Sequence, residues 1–444
     1  MEASAMKKQK WITFLLCAAL IMALFTACGK KNTPAVTNTD TSTGAESSNE
    51  SNEKIEIVYW HTYTDQHEEA LLELINRFNS SQDKYEVVPE QQPYSEIDSK
   101  LMQTVRNNTG PDIVNLFPSD AVDYIANDLI VDLSVYINDP EIGIPDFKEQ
   151  MAEGQYEEIT QWGGDRIYLF PCTNVGEVLF YNKTMFDKHG LEAPKTWTDV
   201  EEYSKIILEK EEIPGFGTDS ITDTYQCLIK QAGSSYIDAE NKNIDIDETI
   251  GKEKLNWVVD GVKNGYFRLV GEDEFFSGVF GSQAIASYIG SSAGAAYVEA
   301  AVGDAFEIGC VPIPQEGPVK YISQWANNFV CLSQTEEQAR ASYEFLKFFT
   351  SEEAVVDWAI AFGSVPVFRD SMESEKFQEF ANSNIAVKAL TEEVQYVGML
   401  PSILGSKDVR TELDKMLQNA SLGLMSTEEA FDNFMKASQA ALNK

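Results

Sequence analysis

The chain has 444 residues, 43% of them hydrophobic, and a formal net charge of −37. With no basic cluster beyond its N-terminal segment, that charge argues against nucleic acid and anionic membrane surfaces as partners, since both need cationic patches. Three histidines and six scattered cysteines, without HExxH or CxxC spacing, offer no zinc pattern and imply no cofactor.

In chain order, Lys7, Lys8 and Lys10 precede the apolar run Trp11 to Phe25, which stops at Thr26, Ala27 and Cys28. A charged start, an apolar stretch and small residues make a secretory signal peptide. The stretch is about 15 residues, short of the ~20 that span a bilayer. A cysteine directly after the small residues looks like a bacterial lipobox, with residues 1–27 removed and Cys28 lipidated. Phe25 stands where such boxes usually carry Leu. Met6, followed by two lysines, is a more natural start than Met1. Residues 28–53 are rich in Thr, Ser, Asn and Glu. They cannot bury enough surface to offset their conformational entropy and are expected to form a flexible tether.

The remaining 390 or so residues suffice for two sizeable lobes. Ile55 to Trp60 is expected to be a buried strand, and Leu71, Leu74, Ile75 and Phe78 mark a helix at the 3.6-residue period. A strand at Tyr85 to Pro89, a helix at Ser95 to Arg106 and a short strand at Ile113 to Leu116 follow. This β-α-β-α-β order predicts a mainly parallel sheet with helices on both faces. Ligands in such sheets bind at the carboxyl ends of strands. That points to Thr62, Tyr63 and Asp65 after the first strand, and to Phe117, Ser119 and Asp120 after the third. Ile167 to Pro171, Val178 to Tyr181 and Ile285 to Ile289 are strand-like, and two further strands flank Pro312, Pro314 and Pro318. Thr198 with Glu201, Thr350 with Glu353 and Ser426 with Glu429 are spaced as capping boxes, the last opening a helix with Ala430, Phe434, Ala437 and Ala441 on one face.

Cys172, Cys227, Cys310 and Cys331 fit either buried free thiols or a disulfide between the strand-like runs of Cys310 and Cys331. Gly290-Ser291-Ser292-Ala293-Gly294 matches the nucleophile elbow G-x-S-x-G, but His61, His67 and His189 all lie upstream, whereas that triad needs a downstream histidine. Asp238 to Lys242 is a surface loop, since a lysine sits where a calcium loop needs a ligand. A secreted glycan-degrading enzyme would need only two carboxylates, which an acidic chain always offers.

Together, the exported start, the tether, Trp60-His61 closing the first strand, Gly110-Pro111-Asp112-Ile113, Leu179-Phe180-Tyr181-Asn182-Lys183 and Pro194-Lys195-Thr196-Trp197 resemble the extracellular solute-binding proteins of ABC importers. The likeness is to the carbohydrate branch that includes maltose-binding and glycerol-3-phosphate-binding proteins, and it runs from Ile55 to the C-terminus. It implies an α/β fold of the periplasmic-binding-protein-like type II, in which two α/β lobes are joined by a multi-strand hinge around a ligand cleft. Mapped onto this chain, one lobe holds residues 54–172 and 312–365, the other 173–311 and 366–444. It further implies a lipid-anchored monomer on the outer face of the cell membrane, catalysing nothing, with a small carbohydrate ligand and a permease as partners.

A sugar ring presents an apolar face and a hydroxyl edge, and so calls for aromatic platforms beside polar groups. Candidate platforms are Trp60, Tyr63, Tyr94, Phe117, Tyr225, Phe276, Tyr288, Trp325 and Phe362. Candidate edge binders are Asp65, Ser119, Asp120, Asn174, Glu177, Ser291, Ser292, Asn327 and Asn328. Trp197 is expected in the core and Asp112 in a structural turn. The glycerol-3-phosphate pattern carries over only in part. Gly363-Ser364-Val365-Pro366 lacks that subfamily's tyrosine, and Val394 to Val397 stand in place of its arginine before Gly398-Met399-Leu400-Pro401. Most arginines are expected on helices or turns away from the cleft. A phosphate wants a bidentate arginine or a helix N-terminus, so these departures favour a neutral mono- or oligosaccharide over a phosphorylated polyol.

Overall fold

In chain order the strands are β1 (Ile55–His61), β2 (Tyr85–Gln91), β3 (Ile113–Leu116), β4 (Val175–Asn182), β5 (Phe216–Thr218), β6 (Ile237–Asp238), β7 (Asn243–Ile244), β8 (Phe267–Leu269), β9 (Ser287–Ser291), β10 (Ile308–Val311), β11 (Ile322–Trp325), β12 (Asn328–Cys331) and β13 (Val397–Gly398). The computed structural model describes residues 54–151, 153–172, 174–325, 328–333 and 335–444.

Two sheets organise the chain. The first has the order β12-β3-β1-β2, with β1 parallel to β2 and β3, and β12 antiparallel at the edge. The apolar β1 supplies Ile57 and Tyr59 to a core shared with Ile113, Val114, Phe329 and Phe345. Asp112 is structural: its carboxylate accepts the Val58 amide and the Ser333 hydroxyl, tying the turn before β3 to its neighbours. The second sheet runs β13-β11-β4-β9-β5-β8, with β10 also on β4. There β5, β8 and β9 are parallel, and β4 pairs antiparallel with β9, β10 and β11. Trp197 lies in the core under this sheet, its Nε1 donating to Gln231 at 2.8 Å.

The chain passes between the sheets beside Asn174, which pairs with Val365 through two backbone hydrogen bonds of 3.0 Å. It passes again between β11 and β12. The stretch 312–325, assigned from sequence to the half that carries β1, instead pairs through β11 with β4 and β13 of the second sheet. Residues 366–384, assigned to the second half, are tied to the first: Lys376 bonds Asp357, and Gln150 bonds Asp370 at 2.7 Å.

Local differences have local causes. Among the described residues, Ile167 to Pro171 contributes a single bridge, Phe170 to Phe329, rather than a strand. The strand expected at Ile285 to Ile289 begins at Ser287. The helix Trp197–Glu211 opens two residues before the expected box: Thr196 caps Asp199, whose carboxylate returns to the Thr196 amide. The helix Glu352–Phe362 starts from Ser351 rather than Thr350. All four described cysteines are free, and Cys310 on β10 and Cys331 on β12 belong to different sheets.

Candidate functional site

A cleft of about 560 Å³ opens between side chains contributed by both halves of the fold. On the first side, β3 ends at Leu116 and the helix Pro118–Ala126 begins at once, with Pro118 in its first turn. That abrupt change places Phe117, Ser119 and Asp120 at a strand's carboxyl end, on the cleft wall. Tyr94, between β2 and the helix Ile97–Arg106, stands 72% exposed at the rim. The helix Glu153–Thr160 adds Glu158.

On the second side, the helix Ile221–Gln231 is capped by Ser220 and presents Thr222, Asp223 and Gln226. The helix Ser406–Ser421 buries Val409, Leu413, Met416, Leu417 and Ala420 and turns Lys407, Arg410 and Asp414 to the cleft. Tyr236, Ser323 and Ser402 complete the polar wall. Tyr94, Phe117 and Tyr236 supply rings, surrounded by hydroxyl, amide and charged groups, a set suited to a ligand with apolar faces and hydroxyl edges.

Both cations are engaged. Arg410 forks onto Asp223, with Nη1–Oδ1 and Nη2–Oδ2 both 2.7 Å, and its Nη2 reaches the Ser220 hydroxyl at 3.2 Å. Lys407 bonds Asp120 at 2.7 Å and Asp98 at 2.9 Å. Burial works against the Lys407 ammonium, but those two carboxylates outweigh it and hold its pKa above the usual value. Burial raises the Asp120 pKa, with Lys407 opposing.

Glu158 is the exception. Its side chain is buried, Oε2 has no hydrogen-bond partner among the described residues, and burial pushes its pKa up to about 8. The Ser406 hydroxyl and Gln226 Oε1 are likewise buried without a partner among the described residues. Burial and the carboxylates of Asp223 and Asp219 raise the pKa of Glu177, beneath this wall on β4.

Of the residues singled out from sequence, Tyr94, Phe117, Ser119 and Asp120 line the cleft. The structure holds others within the fold. Trp60 donates to Glu90 at 2.7 Å under the Lys100 ammonium, and Tyr63 packs edge-on against Trp358 and Phe362. Thr62 is half-buried, and Asp65 is an exposed residue opening the helix Asp65–Ser81. Asn174 accepts from Gln155 at 2.6 Å and donates to the Pro366 carbonyl at 3.2 Å, a crossing-strand role. Ser291 caps the short turn Ser292–Gly294, and Ser292 is fully buried, its hydroxyl without a partner among the described residues. Tyr225, Phe276 and Tyr288 are core residues. Trp325 ends β11 with its backbone paired to Val175, while Asn327 and Cys28 lie outside the described residues.

Sequence reasoning missed Glu158, Asp223, Lys407 and Arg410. Arg410 lines the cleft, an exception to the expectation that most arginines lie away from it. The available signal was the polar stripe Lys407, Arg410, Asp414, at helical spacing opposite an apolar one. Among the described residues, the carboxylates spaced as metal ligands, Glu248, Glu428 and Asp432, surround the Lys252 ammonium, which pairs with all three.

Comparison with known proteins agrees with this architecture. The sn-glycerol-3-phosphate-binding periplasmic protein UgpB of Brucella melitensis is 25% identical over 408 residues, covering 87% of this chain and 93% of the relative. The cyclic alpha-maltosyl-1,6-maltose binding protein of Arthrobacter globiformis superposes with a TM-score of 0.75 at 20% identity, over 88% of this chain and 99% of that one. UgpB of Mycobacterium tuberculosis, solved with glycerophosphocholine, gives 0.76 at 17%, with the same coverage. The family model of bacterial extracellular solute-binding proteins matches residues 73–386, more than half of the sequence, and the chain belongs to that family.

Proposed function

We propose that this protein is the substrate-binding component of an ABC importer, that it captures a carbohydrate in the cleft between two lobes, and that it passes the ligand to a permease. The observation that carries the reading is the composition of the cleft wall: Tyr94, Phe117 and Tyr236 as rings, with Ser119, Asp120, Gln226, Ser323 and Ser402 as edge groups, drawn from both halves. A ligand touching both walls favours the closed arrangement, and closure is the signal a permease can read. In this reading, which membership of the solute-binding family supports, the protein binds its ligand without transforming it.

A thermal-shift screen of mono- and oligosaccharides beside glycerol phosphates tests this. A ligand confined to the folded state adds about 2.7 kcal/mol of stability at a hundredfold excess over its dissociation constant. A rise with one sugar class supports the reading, and a rise with glycerol phosphates alone removes it. That second reading is favoured by the near full-length likeness to proteins named for glycerol 3-phosphate. Against it, the Arg410 fork that would take a phosphate is filled by Asp223.

The anchor belongs to the same proposal. Lys7 to Cys28 has the order of a lipoprotein signal, and among the described residues no helix is long and apolar enough to cross a membrane. Cys28→Ser is expected to move the protein from the membrane fraction to the medium; retention in the membrane would rule out lipidation at Cys28.

A further inference from the structure

The charges of the cleft are unbalanced. Asp98, Asp120, Asp223 and Asp414 line it against only Lys407 and Arg410, leaving two carboxylates in excess, with the buried Glu158 carboxyl beside them. Both cations are committed to carboxylates of the cleft itself, Lys407 across it to Asp98 and Asp120 and Arg410 on its own wall to Asp223. An anionic ligand would have to break these pairs and then face the surplus acid. A neutral ligand would leave Glu158 as it is, 93% buried with Oε2 unpartnered among the described residues. A carboxyl buried in this way keeps its proton without a ligand, and it ionises only where a partner meets the charge, which a cation does best.

We infer that the ligand is a sugar carrying a positively charged nitrogen, an amino sugar or amino-sugar oligosaccharide, with Glu158 as the partner of that nitrogen. The inference rests on the carbohydrate reading above and narrows it. The rings of Tyr94, Phe117 and Tyr236 that face the sugar's apolar surfaces also favour a cation nearby. The buried hydroxyl of Ser406 and the amide oxygen of Gln226 accept from the ligand's hydroxyls.

The test is calorimetric titration of the full chain with matched sugars: glucosamine, galactosamine and a glucosamine disaccharide, each against its hydroxyl and N-acetyl counterparts, with glycerol 3-phosphate alongside. The pH is set so that the amine is charged. The expected result is binding about tenfold or more tighter for an amine than for either neutral counterpart, as a charge-assisted hydrogen bond supplies. Glu158→Gln, nearly isosteric, is expected to shrink that advantage to about threefold or less while the neutral sugars bind as before. Equal binding of amine and neutral partners by the natural chain overturns this inference and leaves the carbohydrate reading standing. Binding confined to glycerol 3-phosphate overturns both. An amine preference that survives Glu158→Gln overturns the assignment of Glu158.

Discussion

Glu158 shows how one residue ties stability to pH. Its folded-state pKa, about 8, lies above the ordinary glutamate value of 4.5 because burial disfavours the charged form. The unfolded chain ionises this group near the ordinary value, whereas the folded chain holds the proton. Its contribution to stability is therefore complete below about pH 4.5 and is lost as pH rises towards 8. Asp219, raised to about 7 by burial against the opposing Phe276 amide, works in the same direction. The unliganded protein is expected to melt at progressively lower temperature from pH 5 to pH 8. Glu158→Gln should melt with the natural chain at pH 5 and above it at pH 8; curves that stay parallel would contradict a buried, proton-holding Glu158. Tyr94 is a contrasting residue, exposed at the rim and packed against little. Tyr94→Ala is expected to leave the unliganded melting point unchanged and to weaken sugar binding about tenfold, the loss of one ring contact. Titration and melting on the same sample separate the two effects.

At the scale of elements, the sequence is most informative where burial is periodic. The helix Asp65–Ser81 buries Leu71, Leu74, Ile75 and Phe78, the four residues its spacing singled out. Caps are less legible, because Thr196 and Thr198 both precede an acidic residue by three positions. The structure chooses Thr196, since Trp197 must enter the core as the first helical residue. Thr198 then faces outward to Glu316, at 2.8 Å from both its amide and its hydroxyl. Thr196→Ala is expected to cost about 1 kcal/mol and Thr198→Ala a smaller amount. Denaturant melts that reverse this order would sink the cap assignment. The same local logic explains the site. Phe117, Ser119 and Asp120 follow a strand directly and were visible from the rule that ligands gather at strand ends. The end of β1 obeys the same rule on paper, yet Tyr63 is sealed beneath Trp358 and Phe362 of a helix nearly 300 residues later. No local pattern announces that cover. Arg410 and Asp223 meet across 187 positions for the same reason, each unremarkable in its own segment.

For the molecule as a whole, what matters is what holds the cleft walls together. Lys407 stands on the helix Ser406–Ser421, packed in the second half against Leu255 and Phe434, while Asp98 and Asp120 stand on helices beside the first sheet. The two ion pairs therefore span the cleft. A second tie lies nearby: Trp162 Nε1 donates to the Ser402 carbonyl at 3.0 Å, and the Ser402 amide donates to Gln161 Oε1 at 2.6 Å. Lys407 and Asp98 are more than half exposed, so their pair contributes little; Asp120 is 19% exposed and contributes more. Exposed pairs of this kind are worth up to about 1 kcal/mol. Such a tie favours the arrangement in which the walls face each other, so a ligand that needs both walls benefits from it. Lys407→Met keeps the aliphatic stem and removes the tie. Sugar affinity is expected to fall about two- to fivefold, and the unliganded chain should scatter X-rays with a larger radius of gyration. The natural chain should show part of the same loosening in high salt and the variant none, because screening acts on the charge that the substitution has already removed. A variant that binds less well with an unchanged radius of gyration would place Lys407 in direct contact with the ligand rather than between the walls.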